Sequence, residues 1–220
     1  MKVVIKLSGR VFDNPSRDGI KEYATLLKEL YNEDIKSIVI AGGGPIARFY
    51  INLARELGYD EASLDQLGII VSRLNARLLI AALDNYAYPN VPESLDEIAL
   101  ADKIVVAGGL HVGQSTNATA AIIAEKVRAD LFINATDVDG IYSKDPRKFS
   151  DAVLLDAINI KDLRNMLIEQ STAAGEYDLM DIIALKIIER SKIDTIVTKA
   201  DPKIIRDAIK GRKVGTRILI

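Results

Sequence analysis

The chain has no cysteine and no tryptophan, and among its 220 residues there is one histidine, His111. Without cysteine there is no disulfide framework, thiol nucleophile or thiolate zinc site. One histidine excludes a His-rich metal centre. An excess of one charge is also missing: 29 basic and 31 acidic residues leave a net charge of −2. That balance argues against nucleic acid as the main partner, because such affinity comes from neutralising many phosphates at once. The longest apolar runs fall short of a membrane span. Met1-Lys2 leads straight into an apolar strand, which leaves no room for a signal peptide. The expectation is a cytoplasmic protein with no membrane partner. A last absence is G-x-x-x-x-G-K-[ST], so the Walker-type phosphate loop is out.

What remains is ordinary globular material, 49% apolar and 27% charged, enough to bury a core in one α/β unit. Strand-like and helix-like segments alternate. Val3–Leu7 and Ser37–Ala41 are short β-branched runs, and continuous apolar strands of this kind belong to sheets covered on both faces. Lys103–Ala107, Leu131–Ala135, Thr195–Thr198 and Arg217–Ile220 complete the predicted strands. Helices are predicted over Arg17–Asn32 with Asp18 as a cap, from Pro45 to near Gly58, and over Ala62–Asp84, Thr116–Arg128, Lys161–Glu169, Leu179–Ser191 and Pro202–Lys210. Asp139-Gly140 reads as a hairpin turn. The long helix Ala62–Asp84 has a stripe of Leu67, Ile70, Val71, Leu74, Leu78 and Ala81, with Ile69, Leu79 and Ile80 outside it. A helix apolar on more than one side is either buried or covered by a partner subunit. The fold class is a three-layer α/β/α sandwich with a mainly parallel central sheet.

In open parallel sheets ligands bind at the carboxyl ends of the strands. Three such junctions carry glycine: Leu7-Ser8-Gly9, Gly42-Gly43-Gly44 and Gly108-Gly109. Glycine lets backbone approach a ligand, and the following helix offers unpaired N–H groups and a positive dipole end, so phosphate is the natural guest. Gly42-x-Gly44-x-x-Ala47 loosely satisfies a dinucleotide fingerprint. The next segment is a helix holding Asp65 rather than a strand ending in an acid, so the Rossmann context fails. Lys6 lies inside the first strand, where a lysine is costly unless it serves an anion. Arg48, one turn into the following helix, can reach the same place. Donors, cations and magnesium around a moving group are what phosphoryl transfer requires.

Val4-Ile5-Lys6-Leu7-Ser8-Gly9, Ala41-Gly42-Gly43-Gly44 and Asn134–Tyr142 with Asp145-Pro146 together resemble the amino acid kinase family, in the short archaeal form of its UMP-phosphorylating members. The resemblance runs the length of the chain and implies a single domain over 1–220. About 1–120 would form mainly a UMP-binding lobe and about 121–220 mainly an ATP-binding lobe. It implies transfer of the γ-phosphoryl group of Mg-ATP to UMP, with Mg²⁺ arriving on the nucleotide and no protein metal site. Lys6 and Arg48 would be catalytic. Lys6, Leu7, Ser8, Gly9, Gly44, Arg48, Thr136, Tyr142 and Asp145 would hold ATP. Gly43, Asp65, Val112, Gly113, Gln114, Ser115, Thr116, Asn117 and Ala118 would hold UMP, Asp65 accepting from the ribose hydroxyls. It further implies a homohexamer built as a trimer of dimers, with Ala62–Asp84 as the dimer contact, and UTP as an inhibitor in the UMP site. Residue by residue, plainer readings stand beside these: Asp139-Gly140 a turn, Asp65 a residue of a helix start, Thr116 a cap. Asn117 replaces the aspartate usual in the family, so no catalytic carboxylate is assigned there. Lys186 is no convincing second lysine, and His111 is a loop residue. The rivals are a carbamate- or acetylglutamate-type kinase of the same fold, or a non-catalytic nucleotide-binding or storage protein.

Overall fold

The computed structural model describes residues 1–13, 16–172 and 180–220, the side chains of 169–172 excepted. Strands β1 (Lys2–Leu7), β2 (Lys36–Ala41), β3 (Val105–Ala107), β4 (Leu131–Thr136), β5 (Ala157–Asn159), β6 (Thr195–Lys199) and β7 (Thr216–Leu219) form one sheet in the order β3-β2-β1-β4-β6-β7-β5. All its pairings are parallel except β6 with β7. Between them lie α1 (Arg17–Asn32), α2 (Gly44–Glu56), α3 (Glu61–Leu83), α4 (Leu95–Leu100), α5 (Thr116–Val127), α6 (Ile160–Thr172), α7 (Ile182–Ser191) and α8 (Pro202–Ile209).

Side chains alternate across a strand, and both sides of this sheet are covered. Val3, Ile5 and Leu7 of β1, with Val39, Ile133 and Ile196, pack on Leu27, Leu30, Leu79, Leu83 and Ile205 from α1, α3 and α8. Val4, with Ile38, Ile40, Phe132 and Val197, packs on Ala120, Ile123, Leu185 and Ile188 from α5 and α7. The unbroken apolar strands of the sequence follow from this two-sided burial. The predicted three layers are present.

Several local expectations change. Ser16 caps α1, its Oγ accepting from Gly19 N at 2.9 Å; Asp18 sits inside the first turn, where it favours the positive helix end instead. Asp139-Gly140 does not turn a hairpin, because β4 has parallel neighbours on both sides. The reversal comes later, where Ser143 N donates to Val153 O and Leu155 N to Ile141 O, each at 2.9 Å. The predicted start of a helix at Leu179 lies outside the described residues, and α7 begins at Ile182 behind the cap Asp181. α4, β5 and the 3₁₀ turns over Gly9–Phe12 and Asp84–Tyr86 were not predicted; each is too short to show a period.

On α3 the predicted stripe is divided between core and surface. Leu64, Val71, Ala76, Leu79, Ile80 and Leu83 are buried, while Ile70, Leu74 and Leu78 are exposed. By length and composition α3 is also apolar enough to cross a membrane, against the expectation that no run would be. Its packing on α1, α2, β2 and β3 accounts for the buried side of that apolarity, while Ile70, Leu74 and Leu78 remain exposed.

Tyr23 of α1 ties this helix to the loop before α8, its hydroxyl donating to Ala200 O at 2.6 Å. Burial, with the nearby Asp201 and Glu22 charges, pushes the phenol up to about 12. A pKa raised on folding contributes stability that is full below the unfolded value, ~10, and lost as pH rises toward the folded one. Thermal melts should therefore fall steeply between pH 10 and about 12, and Tyr23→Phe should flatten that alkaline limb. An unchanged limb in the variant would refute the assignment.

Candidate active site

The carboxyl ends of β1, β2 and β4 are level, with Leu7 opposite both Ala41 and Ala135. Beyond them the chain leaves the sheet by two short hydrogen bonds, Ser8 N to Ala135 O and Gly42 N to Leu7 O, both 2.9 Å. The two glycine turns then touch backbone to backbone. A Cβ on Gly9 would lie 2.1 Å from Gly44 N, and one on Gly44 would lie 2.4 Å from Gly9 O. Gly44 also has φ +67°, a conformation side chains disfavour. The predicted phosphate-directed turns are thus one continuous surface of backbone.

The third glycine junction differs. Gly109 N donates to Ser72 Oγ of α3 at 2.9 Å, and a Cβ on Gly108 would meet Arg73 at 2.7 Å. Glycine is needed there for close helix packing, so the general expectation of phosphate at every glycine turn does not extend to it. Asn75, also on α3 and 3% exposed, donates from Nδ2 to Gly42 O at 2.8 Å and to Gly43 O at 3.4 Å.

Lys6 is partly buried on the α5 side of β1, level with Ile40 and the buried Asn134. Lys2 Nζ donates to Val127 O at 3.0 Å, so α5 runs antiparallel to β1 with its last turn beside Lys2. Twelve helical residues span ~18 Å, about the length of β1. The first turn of α5 therefore lies toward the Lys6 end of β1, where its positive dipole end favours an anion. Arg48 stands on the first turns of α2, exposed and with no ion pair among the described residues.

On the β2 side, Asp65 Oδ2 accepts from Gly113 N at 2.7 Å. This bond draws the loop 112–115 onto the start of α3 and leaves the other carboxylate oxygen as an acceptor. Val112 is exposed, Gln114 is half-buried, and Asn117 and Ala118 are buried under the loop. Ser115, not Thr116, caps α5, accepting from Ala118 N at 3.0 Å. Thr116 thus follows the cap as the first helical residue. Ser115 also donates to Asp181, the cap of α7, joining the starts of the two helices.

On the β4 side the hydroxyl of Thr136 is turned onto its own loop, within 3.1 Å of both Val138 N and Val138 O. Tyr142 Oη donates to Asp139 at 3.2 Å, and burial together with that carboxylate raises the phenol. Asp145 is 8% exposed. Burial works to raise its carboxyl, but the Arg147 N–H and guanidinium bound to it, with Lys148, hold it below the ordinary value. Arg147 also approaches Asp137 at 3.8 Å, and Arg10 pairs with Asp137 at 3.0 Å. This chain of charges connects the turn after β1 to the loop after β4, and sequence reasoning missed it because its members are scattered. A cavity of about 310 Å³ opens beside Ser8 and Thr136, bounded by Arg10, Tyr23, Asp137 and Lys199.

His111 is an exposed loop residue, and Lys186 points to solvent from the middle of α7. Among the described residues no three His, Asp or Glu side chains gather to hold a metal. The other predicted residues stand at the loops and helix starts that follow β1, β2, β3 and β4; Gly44 and Arg48, expected to hold ATP, follow β2 together with Gly43, expected to hold UMP.

Residues 1–199 match the profile of the Amino acid kinase family. A uridylate kinase of Sulfurisphaera tokodaii is 45% identical over 224 residues, covering 99% of each chain. One from Sulfolobus acidocaldarius is 42% identical over 225 residues, covering 100% of this chain and 99% of that one. The crystal structure of uridylate kinase from Archaeoglobus fulgidus is similar over the full length of both chains, with a TM-score of 0.87 and 41% identity. A UMP kinase from Bacillus anthracis shares the fold, with a TM-score of 0.82 at 23% identity over 99% of this chain and 95% of that one. With the profile matched through residue 199 and relatives above 40% identity end to end, the chain belongs to the amino acid kinase family.

Proposed function

We propose that this chain is a UMP kinase, moving the γ-phosphoryl group of ATP to UMP reversibly to give UDP and ADP. A phosphate oxygen of UMP attacks the γ-phosphorus, and the bond to the β–γ bridging oxygen breaks. The observation that carries the reading is the backbone contact between Gly9 and Gly44, next to Lys6. It makes a single donor-lined surface on which two phosphate groups can meet in line. The uridylate kinase names of the full-length relatives supply the acceptor.

In this reading Gly43 N–H binds the UMP phosphate, while Gly44 N–H, the Leu7-Ser8-Gly9 backbone and Arg48 hold the ATP phosphates. Lys6 and Arg48 offset charge developing on the equatorial oxygens. Asp65 takes the ribose hydroxyls of UMP, and residues 112–118 close over the uridine and its phosphate. Thr136, Tyr142 and Asp145 line the nucleoside end of ATP, so about 1–120 serves the acceptor and about 121–220 the donor. Magnesium enters bound to ATP, where it neutralises phosphate charge. UTP is a ligand of the UMP site, and the enzyme works in the cytoplasm.

The test is a coupled ADP-release assay with UMP, CMP, carbamate and acetylglutamate. Turnover with UMP well above the rest is expected. Equal inactivity with every acceptor, alongside ATP binding, would replace the enzyme by a binding protein.

The assembly we propose is a homohexamer, a trimer of dimers joined through α3. Ile70 and Leu74 of α3 and Phe49 and Leu57 of α2 are each at least 60% exposed. Large apolar side chains exposed on two helices that pack against each other point to an interface. Light scattering should give several chains per particle, and Leu74→Lys should shift it toward smaller species. A monomeric native chain would remove the idea.

A further inference from the structure

Asn75 is a polar residue buried in the middle of an apolar helix, which costs free energy unless its hydrogen bonds are made. Its bonds go to the carbonyls of Gly42 and Gly43, at 2.8 and 3.4 Å. A trans peptide is planar, so a carbonyl and the N–H that follows it point in opposite directions. Drawing Gly42 O toward α3 therefore turns Gly43 N–H away from α3. Drawing Gly43 O the same way turns Gly44 N–H out as well. These two N–H groups are the ones the proposed reaction uses, one for each substrate. Glycine peptides rotate readily, and an N–H aimed wrongly at a phosphate is worth little in the transition state.

We propose that Asn75 is a positioning residue that aims the Gly43 and Gly44 N–H groups at the acceptor and donor phosphates. The idea rests on the kinase reading given above. It deepens that reading by assigning the shape of the phosphate surface to one amide on α3, the same helix that carries Asp65. It differs from a purely structural role in one respect: loss of Asn75 must weaken the hold on phosphate while sparing the hold on the nucleoside.

The experiment compares wild type, Asn75→Ala and Asn75→Leu by calorimetry against UMP, uridine, ATP and adenosine, together with steady-state kinetics. Leu79→Ala, a buried change on the same helix away from the turn, controls for lost stability. The expected result is a roughly tenfold loss of UMP and ATP affinity in both Asn75 variants, with uridine and adenosine unchanged within about twofold. A fall in kcat of about 10- to 100-fold should accompany it. Equal losses for nucleoside and nucleotide would overturn the proposal, as would a Leu79→Ala variant of matched melting temperature with the same kinetic defect, or normal kcat in both Asn75 variants. Failure of the reading itself shows separately, as wild type that does not phosphorylate UMP. In that case the ATP-to-adenosine comparison still decides the role of Asn75.

Discussion

Lys6→Ala is expected to lower kcat by about two to three orders of magnitude while leaving the KM for UMP within a few-fold. Lys6 sits in β1 among buried neighbours, where only a cation with an anionic partner is worth keeping. It stands on the α5 side of β1, two residues before the Ser8-Gly9 turn. In partly desolvated surroundings a charge placed where negative charge develops counts for more than in water. In the proposed reading UMP is also held by backbone N–H groups and by the loop 112–118, so its ground-state binding should survive the loss. Steady-state kinetics on the variant, with circular dichroism to confirm folding, checks the prediction. Near-normal turnover would remove Lys6 from the mechanism.

Gly9→Ala should be nearly as damaging, through geometry instead of charge. The added methyl would stand 2.1 Å from Gly44 N, 2.5 Å from Gly44 Cα and 2.7 Å from Gly43 C. These are backbone atoms, so no rotamer change relieves the contact and the two turns must separate. Displacing reacting groups by ~1 Å costs about 100-fold in rate. Overpacking of this kind costs about 1–3 kcal/mol of stability, or a fall of several degrees in Tm for a chain of this length. Activity and a thermal melt measured together test both parts. A variant with wild-type kcat would mean that the turns do not act as one surface.

Much of this was legible along the chain. The strands β1, β2 and β4 appear as β-branched runs because both faces of the sheet are covered. The glycine turns stand out because each follows a strand directly. Lys6 is visible as a cation where the pattern demands an apolar residue, and Asp65 was placed at the start of α3, where it is found. Features depending on neighbours distant in sequence were not legible. The capping of α1 by Ser16 could have been read from its position before the first turn. Which side of α3 is buried could not, since a helix apolar all round does not say which side meets the sheet. Arg10 and Arg147 read as ordinary surface charges, and their pairing with Asp137 and Asp145 appears only when the fold brings them together.

The sequence by itself determined the class of fold, the junctions where a ligand could sit and the residue types offered there. These are local properties, set by side-chain period and by glycine after a strand. Only the tertiary structure decided that Gly9 and Gly44 meet, that Gly108 packs on α3, and that Asn75 holds the carbonyls of Gly42 and Gly43. It also moved the cap of α5 from Thr116 to Ser115. Contacts of this kind join residues some 30 or more positions apart, and their geometry depends on how helices settle on a twisted sheet. No local pattern encodes that distance.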